Sequence, residues 1–175
     1  MRGTGKSSIG NVLADLMGYT FIDTDVAIEE EAGCRIVEIV SRCGWQHFRS
    51  LERDMVTRVA ARDQQVVATG GGVFVDHGNA ALLKENGVVV LLVCDMPTLQ
   101  RRIAAGTNRP SLTGQGSAVE ELEQVWQSRY ASYRAAADLT VDVSDETSDS
   151  MLDVQRKADA IYSLLQQRSD LRRKG

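Results

Sequence analysis

The first eight residues constrain the fold most, because they hold the second half of a phosphate-binding loop. The full pattern is Gly, four residues, Gly, Lys and then Ser or Thr. Gly5, Lys6 and Ser7 supply its last three positions, and apolar residues follow at helical spacing up to Gly18. A helix that begins directly after the loop points its positive end at a bound anion. The start of the chain therefore predicts a phosphate site at a helix N-terminus.

Each residue type in this loop has a chemical reason to be there. Glycines let successive backbone N–H groups turn towards an anion, the Lys6 ammonium can reach the β- and γ-phosphates, and the Ser7 hydroxyl can bind Mg²⁺. The alternative is a chance Gly-Lys-Ser in a surface turn, which the helix predicted to follow at once disfavours. The residues predicted to bind the nucleotide phosphates are Gly3, Thr4, Gly5, Lys6, Ser7 and Ser8.

The loop pattern is cut at its beginning. Its first glycine, and the strand that normally leads into it, would precede Met1. We interpret the sequence as starting at an internal methionine of a longer reading frame. We expect in-frame upstream codons for roughly five apolar residues, the length of a short strand, and for a glycine.

Composition excludes several classes of protein. The chain has 175 residues, 43% of them hydrophobic and 25% charged, which suits one globular domain at residues 1–175. Its net charge of -4 disfavours nucleic-acid and membrane-surface binding, and its longest apolar run, residues 88–94, cannot span a bilayer. Three cysteines without metal-type spacing read as free thiols. We expect a cytoplasmic monomer.

Predicted strands alternate with predicted helices along the whole sequence. This order favours parallel βαβ units in an α/β fold, a three-layer sandwich with a parallel sheet. A stretch rich in Gly, Ser, Thr and Pro at residues 106–117 is typical of a mobile loop. The predicted strands are 19–22, 65–69, 88–93 and 139–143, and the predicted helices begin at Lys6 and Pro97 and cover 26–32, 36–43, 45–62, 79–85, 119–136 and 148–167, with a frayed tail at 168–174.

Two aspartates end the first predicted strand. Asp23 and Asp25 are two residues apart at the carboxyl end of this strand. Ligands of open α/β sheets lie at the carboxyl ends of strands. We predict that Asp23 holds Mg²⁺ and that Asp25 binds a substrate hydroxyl and accepts its proton. The alternative is a helix N-cap role for one of them.

Three consecutive glycines, residues 70–72, end the second predicted strand. Three glycines are costly in folding entropy, and a plain tight turn needs only one or two. Their position indicates a close approach of a ligand to the backbone. A turn without a ligand is the alternative.

Four arginines are candidate anion ligands, because a guanidinium pairs with carboxylates and phosphates. Arg49 follows Phe48 and precedes Glu52, which can orient it. Arg109 lies in the predicted mobile loop, where a lid would carry a cation. The other two are Arg102 and Arg129.

Taken together, these motifs resemble the shikimate kinase family. They fall in the order of the family across nearly the whole chain, and the combination is far more specific than the phosphate loop alone. The matching segments are residues 2–8, 21–25, Phe48-Arg49 with Glu52, 68–72, 108–110, and Arg129-Tyr130 with Tyr133-Arg134.

The resemblance implies transfer of the ATP γ-phosphate to the 3-hydroxyl of shikimate, on the route to chorismate and the aromatic amino acids. It implies a P-loop fold like that of the nucleoside monophosphate kinases, with a five-stranded parallel sheet. The substrate-binding helical region would be about 26–62 and the lid about 105–118. ATP and shikimate are the implied ligands, with Mg²⁺ as cofactor.

The resemblance also implies residue roles. Asp25 holds the shikimate hydroxyls beside the backbone of Gly71 and Gly72, and Arg49 and Arg129 bind the shikimate carboxylate. Arg102 stacks on adenine, with Arg101 as the alternative, and Arg109 reaches the reacting phosphates. Ser7 and Asp23 attend Mg²⁺. The expected catalytic residues are Lys6, Asp25 and Arg109.

Two departures and three alternatives stand beside this interpretation. The first departure is that the family often has Gly-Glu before Phe-Arg, where this sequence has Gly44-Trp45. The second is that the strand before the phosphate loop, which the family places in mid-sheet, is missing from this sequence. The alternatives are another small-molecule kinase for gluconate or a nucleotide, a non-catalytic phosphate-loop homologue, and an inactive truncated product. A pair of arginines fits a carboxylated acceptor better than a second nucleotide base.

Overall fold

A computed structural model describes residues 3–105, 118–144 and 150–173 of the chain. Helices and strands alternate as the sequence predicts. The strands are β1 (Thr20–Asp23), β2 (Gln65–Ala68), β3 (Val90–Val93) and β4 (Leu139–Asp142). The helices are α1 (Lys6–Met17), α2 (Thr24–Ala32), α3 (Ile36–Ala60), α4 (His77–Asn86), α5 (Met96–Ala105), α6 (Ala118–Ala136) and α7 (Ser150–Arg173), with a 3₁₀ turn at Val73–Val75.

The strands pair in parallel, which confirms the predicted α/β class. Strand β1 pairs with β2 so that Asp23 lies beside Ala68, and β3 pairs with β4 so that Val93 lies beside Asp142. Helices connect the strands, as parallel pairing requires. The carboxyl ends of β1 and β2 therefore lie next to each other.

The described strands do not form the single five-stranded sheet that the resemblance implies. They form two separate pairs, β1–β2 and β3–β4. A cavity of about 440 Å³ lies between the pairs, lined by β2 and β3 and by residues of α1 and α7. This is the mid-sheet position where the resemblance places the fifth strand.

Helix α1 packs across both pairs and joins them in one core. Ile9 and Leu13 are buried in a cluster with Leu92 of β3, and Val66 of β2 packs against the same cluster. Gly10 faces β1, where a Cβ atom would lie 2.8 Å from the Phe21 ring. Glycine at this position therefore lets the helix approach the first pair closely.

Two helix boundaries show how local chemistry sets the chain path. Gly44 has non-helical φ of 80° and ψ of 166° inside α3, so the predicted helices at 36–43 and 45–62 meet there at a kink. Helix α7 runs to Arg173, so it extends beyond the predicted end at residue 167. The Arg168 guanidinium donates to the Asp138 carbonyl at 3.1 Å and to its carboxylate at 3.2 Å, which holds this turn.

Two further expectations concern larger regions. Helices α2 and α3, in the region predicted to bind substrate, share a core cluster that includes Ile28, Ile39 and Phe48. The single domain and its substrate-binding region stay predictions, and the predicted lid at about 105–118 lies almost wholly outside the described residues. None of the described helices combines the length and apolar character that crossing a membrane requires.

We predict that Leu13→Ala lowers the free energy of unfolding by about 2–5 kcal/mol, because it removes a buried side chain at the junction of the two strand pairs. Leu13 is 7% exposed. Urea unfolding followed by circular dichroism measures the change. Leu16→Ala, on the same helix at 37% exposure, is the matched control and is expected to cost less than about 1 kcal/mol. Equal losses in the two variants would contradict the role assigned to α1.

Candidate active site

The phosphate loop turns into α1 through two left-handed glycines. Gly3 and Gly5 have φ of 83° and 84°, a conformation that side chains disfavour. Gly5 is the N-cap of α1 and gives it no side-chain cap, so the first backbone N–H groups of the helix can serve an anion. Thr4, between the glycines, is fully buried. The predicted loop-to-helix junction is confirmed at Lys6.

Asp23 connects the phosphate loop to α2. Its Oδ2 atom accepts a hydrogen bond from the Ser7 hydroxyl at 2.5 Å. Its Oδ1 atom accepts from the backbone N–H groups of Asp25 at 3.1 Å and Val26 at 3.4 Å, as a helix N-cap does. The N-cap alternative is therefore confirmed for Asp23, and the same carboxylate still reaches the predicted metal residue Ser7.

The Ser7–Asp23 pair suits Mg²⁺ chemically. A hydroxyl and a carboxylate are both hard oxygen donors, and Mg²⁺ commonly takes one or two such protein ligands and completes its shell with water and substrate phosphates. Among the described residues no three His, Cys, Asp or Glu side chains cluster as a protein-only metal cage. The metal role of Ser7 and Asp23 stays a prediction.

Asp25 lies in the first turn of α2, so the chain is not extended through both aspartates. The helix begins at Thr24 because Asp23 caps it. Burial raises the pKa of the Asp25 carboxyl to about 6, helped by the negative charges of Asp23 and Glu52 and opposed by the positive charge of Lys6. A carboxylate with a pKa near 6 is well suited to accept a proton at neutral pH.

Thr24 holds the end of β2 beside Asp23 and Asp25. The sequence did not predict this role of Thr24. The buried Thr24 hydroxyl accepts a hydrogen bond from the Gly70 N–H at 2.9 Å. Because Asp23 is in register with Ala68, Thr24 faces the residues that follow β2. Only the strand register brings these two residues together, and sequence spacing contains no signal for it.

The glycine turn, residues 70–72, is where the site residues meet. A Cβ atom on Gly70 would collide with the Asp25 carboxylate, and one on Gly72 would collide with the Arg49 guanidinium. Gly72 has an ordinary φ of -98°, so it is the close approach that requires glycine here. The predicted approach to this backbone is made by side chains of the chain itself.

Arg49 is held by charge and by aromatic rings. It forms a salt bridge with Glu52, which is 2% exposed, as the sequence predicts. Its guanidinium carbon lies 5.3 Å from the ring centres of both Trp45 and Phe48, a distance that allows cation–π attraction. Trp45 thus supplies a contact to Arg49 at the position where the family often has glutamate.

Arg129 reaches the same glycine turn from α6. Its guanidinium donates a hydrogen bond to the Gly71 carbonyl at 3.0 Å, and the Tyr133 hydroxyl donates to the same oxygen at 2.5 Å. The two side chains are four residues apart and so share one face of the helix. The arrangement brings the predicted acceptor residues Asp25, Arg49 and Arg129 around residues 70–72.

The glycine turn also lies beside the phosphate loop. A small cavity of about 40 Å³ is lined by Thr4, Lys6, Gly70, Gly71 and Tyr133, among others. Ser8 lies in the first turn of α1, next to Ser7. The structure therefore places the predicted phosphate and acceptor residues at one end of β1 and β2, where ligands of parallel α/β folds bind.

The two adenine candidates differ in position. The Arg102 guanidinium donates to the Val143 carbonyl at 3.0 Å and lies 3.5 Å from the Gly3 carbonyl oxygen. Arg101 donates to the Thr98 hydroxyl at 2.9 Å. The contact between Arg102 and the phosphate loop favours Arg102 as the adenine-stacking residue. Arg109, together with Met1 and Arg2, lies outside the described residues.

Comparison with known proteins agrees with this geometry. The family model described as shikimate kinase matches residues 2–163. The shikimate kinase of Nitratidesulfovibrio vulgaris is 41% identical over 139 residues, which cover 78% of this chain and 79% of the relative. That of Synechococcus elongatus is 36% identical over 170 residues, 97% of this chain and 87% of the relative.

Solved structures give the same result. A shikimate kinase from Acinetobacter baumannii in complex with shikimate has a TM-score of 0.82 and 31% identity, and the match covers 95% of this chain and 89% of that one. A shikimate kinase from Bacteroides thetaiotaomicron has a TM-score of 0.84 and 26% identity, with 94% of each chain covered. Fold and sequence together show that this chain belongs to the shikimate kinase family, whose members are ATP-dependent phosphotransferases.

Proposed function

We propose that the site described above transfers the γ-phosphate of ATP to the 3-hydroxyl of shikimate. The observation that carries this proposal is the glycine turn, which has the Asp25 carboxylate at Gly70, the Arg129 guanidinium at Gly71 and the Arg49 guanidinium at Gly72. A hydroxylated carboxylic acid needs both charges, a carboxylate for its hydroxyls and guanidiniums for its acid group. The A. baumannii relative with bound shikimate supports the choice of acceptor.

The donor side of the site would bind the phosphates of ATP. Backbone N–H groups of residues 3–8 and the N-terminal end of α1 would hold the phosphate oxygens, and the Lys6 ammonium would neutralise the charge that grows on them. We place Mg²⁺ at Ser7 and Asp23, where it would neutralise the β- and γ-phosphates when bound. Ser7 and Asp23 are hydrogen-bonded to each other, so the two oxygen donors lie together at the start of α1.

On the acceptor side, Arg49 and Arg129 would bind the carboxylate of shikimate, and the backbone of Gly71 and Gly72 would contact its ring. Asp25 would accept the proton of the attacking hydroxyl, since burial raises the pKa of its carboxyl to about 6. Lys6 is close enough to lower that same pKa. The Lys6 ammonium would therefore interact with both the Asp25 carboxylate and the phosphates of ATP, so ATP and shikimate would meet at Lys6.

The remaining roles complete the proposal. Arg102 would stack on the adenine ring, because it already lies between the Gly3 carbonyl and the end of β4. Arg109 would reach the transferred phosphate from the predicted lid. The protein would work as a cytoplasmic monomer without nucleic acid, in line with its net charge of -4.

A coupled assay of ADP release tests the proposed function. We expect ADP release that depends on shikimate, with the phosphate found on the 3-oxygen of the product by phosphorus NMR. Gluconate and a nucleoside monophosphate are the control acceptors and should give only the background rate. Activity with either of them but not with shikimate would overturn the proposed substrate. Shikimate binding without any phosphorylated product would instead support the non-catalytic alternative.

Asp25→Asn is expected to lower kcat by about 10²–10⁴-fold, since an amide cannot accept the hydroxyl proton. It should also raise stability at pH 8. The pKa of Asp25 in the folded chain is about 6 against an ordinary value of 3.8, so the protonated form favours folding and this contribution is lost as pH rises through about 6. We expect a gain of about 1–3 kcal/mol in the free energy of unfolding.

Steady-state kinetics and urea unfolding at pH 8 measure the two effects. The matched control is Asp54→Asn, on the exposed side of α3, which should change neither. Asp25→Asn with wild-type kcat would remove Asp25 from the catalytic step. A loss of kcat combined with a loss of stability would point to a structural defect in place of a missing base.

The same carboxylate predicts a pH profile. Because Asp25 must be ionised to accept a proton, kcat/KM for shikimate should fall about tenfold for each unit below pH 6 and be flat above pH 7. Initial rates between pH 5 and 8 measure the profile. Enzyme held at pH 5 and then assayed at pH 7.5 should recover full activity, which separates titration from unfolding. A kcat/KM that is constant down to pH 5 would contradict the role of Asp25.

A further inference from the structure

The glycine turn depends on a side chain with no role in the proposed transfer. Tyr133 of α6 is 6% exposed, and its hydroxyl donates to the Gly71 carbonyl at 2.5 Å. A buried hydroxyl without a partner is costly, so a phenol at this position must be matched to an acceptor. Phenylalanine would fill the same space without that requirement.

The Gly71 carbonyl is shared between two donors. Arg129 uses it at 3.0 Å and Tyr133 at 2.5 Å, which matches the two lone pairs of a carbonyl oxygen. Arg129 also interacts with the phenol oxygen, and although this positive charge lowers the pKa of the phenol, burial raises it more. The phenol therefore remains protonated and a donor throughout the neutral range.

Arg129 and Tyr133 lie on one face of α6, and both contact the Gly71 carbonyl. The Tyr133 ring also packs against Trp126, with ring centres 6.3 Å apart, and this contact fixes the direction of the hydroxyl. Arg129 is anchored by its hydrogen bond to the Gly71 carbonyl and by its interaction with the phenol. Removing the phenol hydroxyl would leave the arginine with one of its two anchors.

We propose that Tyr133 is a positioning residue for the acceptor: by holding the Gly71 carbonyl and Arg129 together, it sets the distance between Arg129 and Asp25. The inference rests on the proposed function and extends it to a residue outside the charged set. Tyr133 acts through Arg129, and it need not touch the substrate. Its loss should therefore weaken binding of the acceptor while leaving the phosphate loop unchanged.

Tyr133→Phe tests the proposal, since it removes only the hydroxyl. We expect the dissociation constant for shikimate to rise about fivefold, the effect of one lost hydrogen bond, while that for a non-hydrolysable ATP analogue with Mg²⁺ changes less than about twofold. Calorimetric titration of the full chain measures both. The control is Tyr130→Phe, one turn earlier on α6 and 40% exposed, which should leave both constants unchanged.

A double variant distinguishes a positioning role of Tyr133 from a general packing role. In Arg129→Ala, the further change Tyr133→Phe should weaken shikimate binding by less than about twofold, because the residue through which Tyr133 acts is gone. A fivefold effect that persists in this background would overturn the proposal. So would wild-type affinity in Tyr133→Phe, or an equal loss of affinity for shikimate and the ATP analogue, which is what partial unfolding would produce.

These outcomes are distinct from failure of the proposed function. If the unaltered chain neither binds nor phosphorylates shikimate, the proposed function fails and the inference fails with it. If the unaltered chain binds shikimate and Tyr133→Phe binds it equally well, only the inference about Tyr133 fails.

Discussion

Helix α1 is the element on which the rest of the structure depends. Its N-terminus carries the phosphate loop, and its buried face, with Ile9 and Leu13, packs against β3 and Val66 of β2. The two strand pairs share no ladder in the described residues, so the packing of α1 against both of them helps to fix their relative position. The same helix therefore positions the anion site and the sheet edges around it, and a shift of α1 would alter both at once.

The site places three carboxylates close together, an arrangement that by itself lowers the stability of the folded chain. Asp25 has a pKa raised to about 6 because it is buried near the carboxylates of Asp23 and Glu52. Ionising it at neutral pH costs stability, and the positive charge of Lys6 offsets only part of that cost. The raised pKa belongs to the carboxyl that is proposed to take up a proton. Such a conflict between stability and local charge is typical of functional sites.

Sequence predicted the features that are encoded locally. The start of α1 at Lys6, the kink at Gly44 and the Arg49–Glu52 pair each depend on residues within a few positions of one another. It did not predict the Thr24–Gly70 and Tyr133–Gly71 hydrogen bonds, which join residues 46 and 62 positions apart. These need strand register and helix packing, which spacing along the chain does not contain.

The glycine turn links site residues that are far apart in the sequence. Three elements converge on residues 70–72: α2 through Thr24, α3 through Arg49 and α6 through Tyr133. Each of these helices contacts a different glycine, so the turn has little freedom to move independently of any of them. Glycine is needed because these side chains approach the backbone, and a Cβ atom would displace the very charges that define the acceptor site. The cost in chain entropy is thus the consequence of assembling opposite charges from separate helices around one short turn.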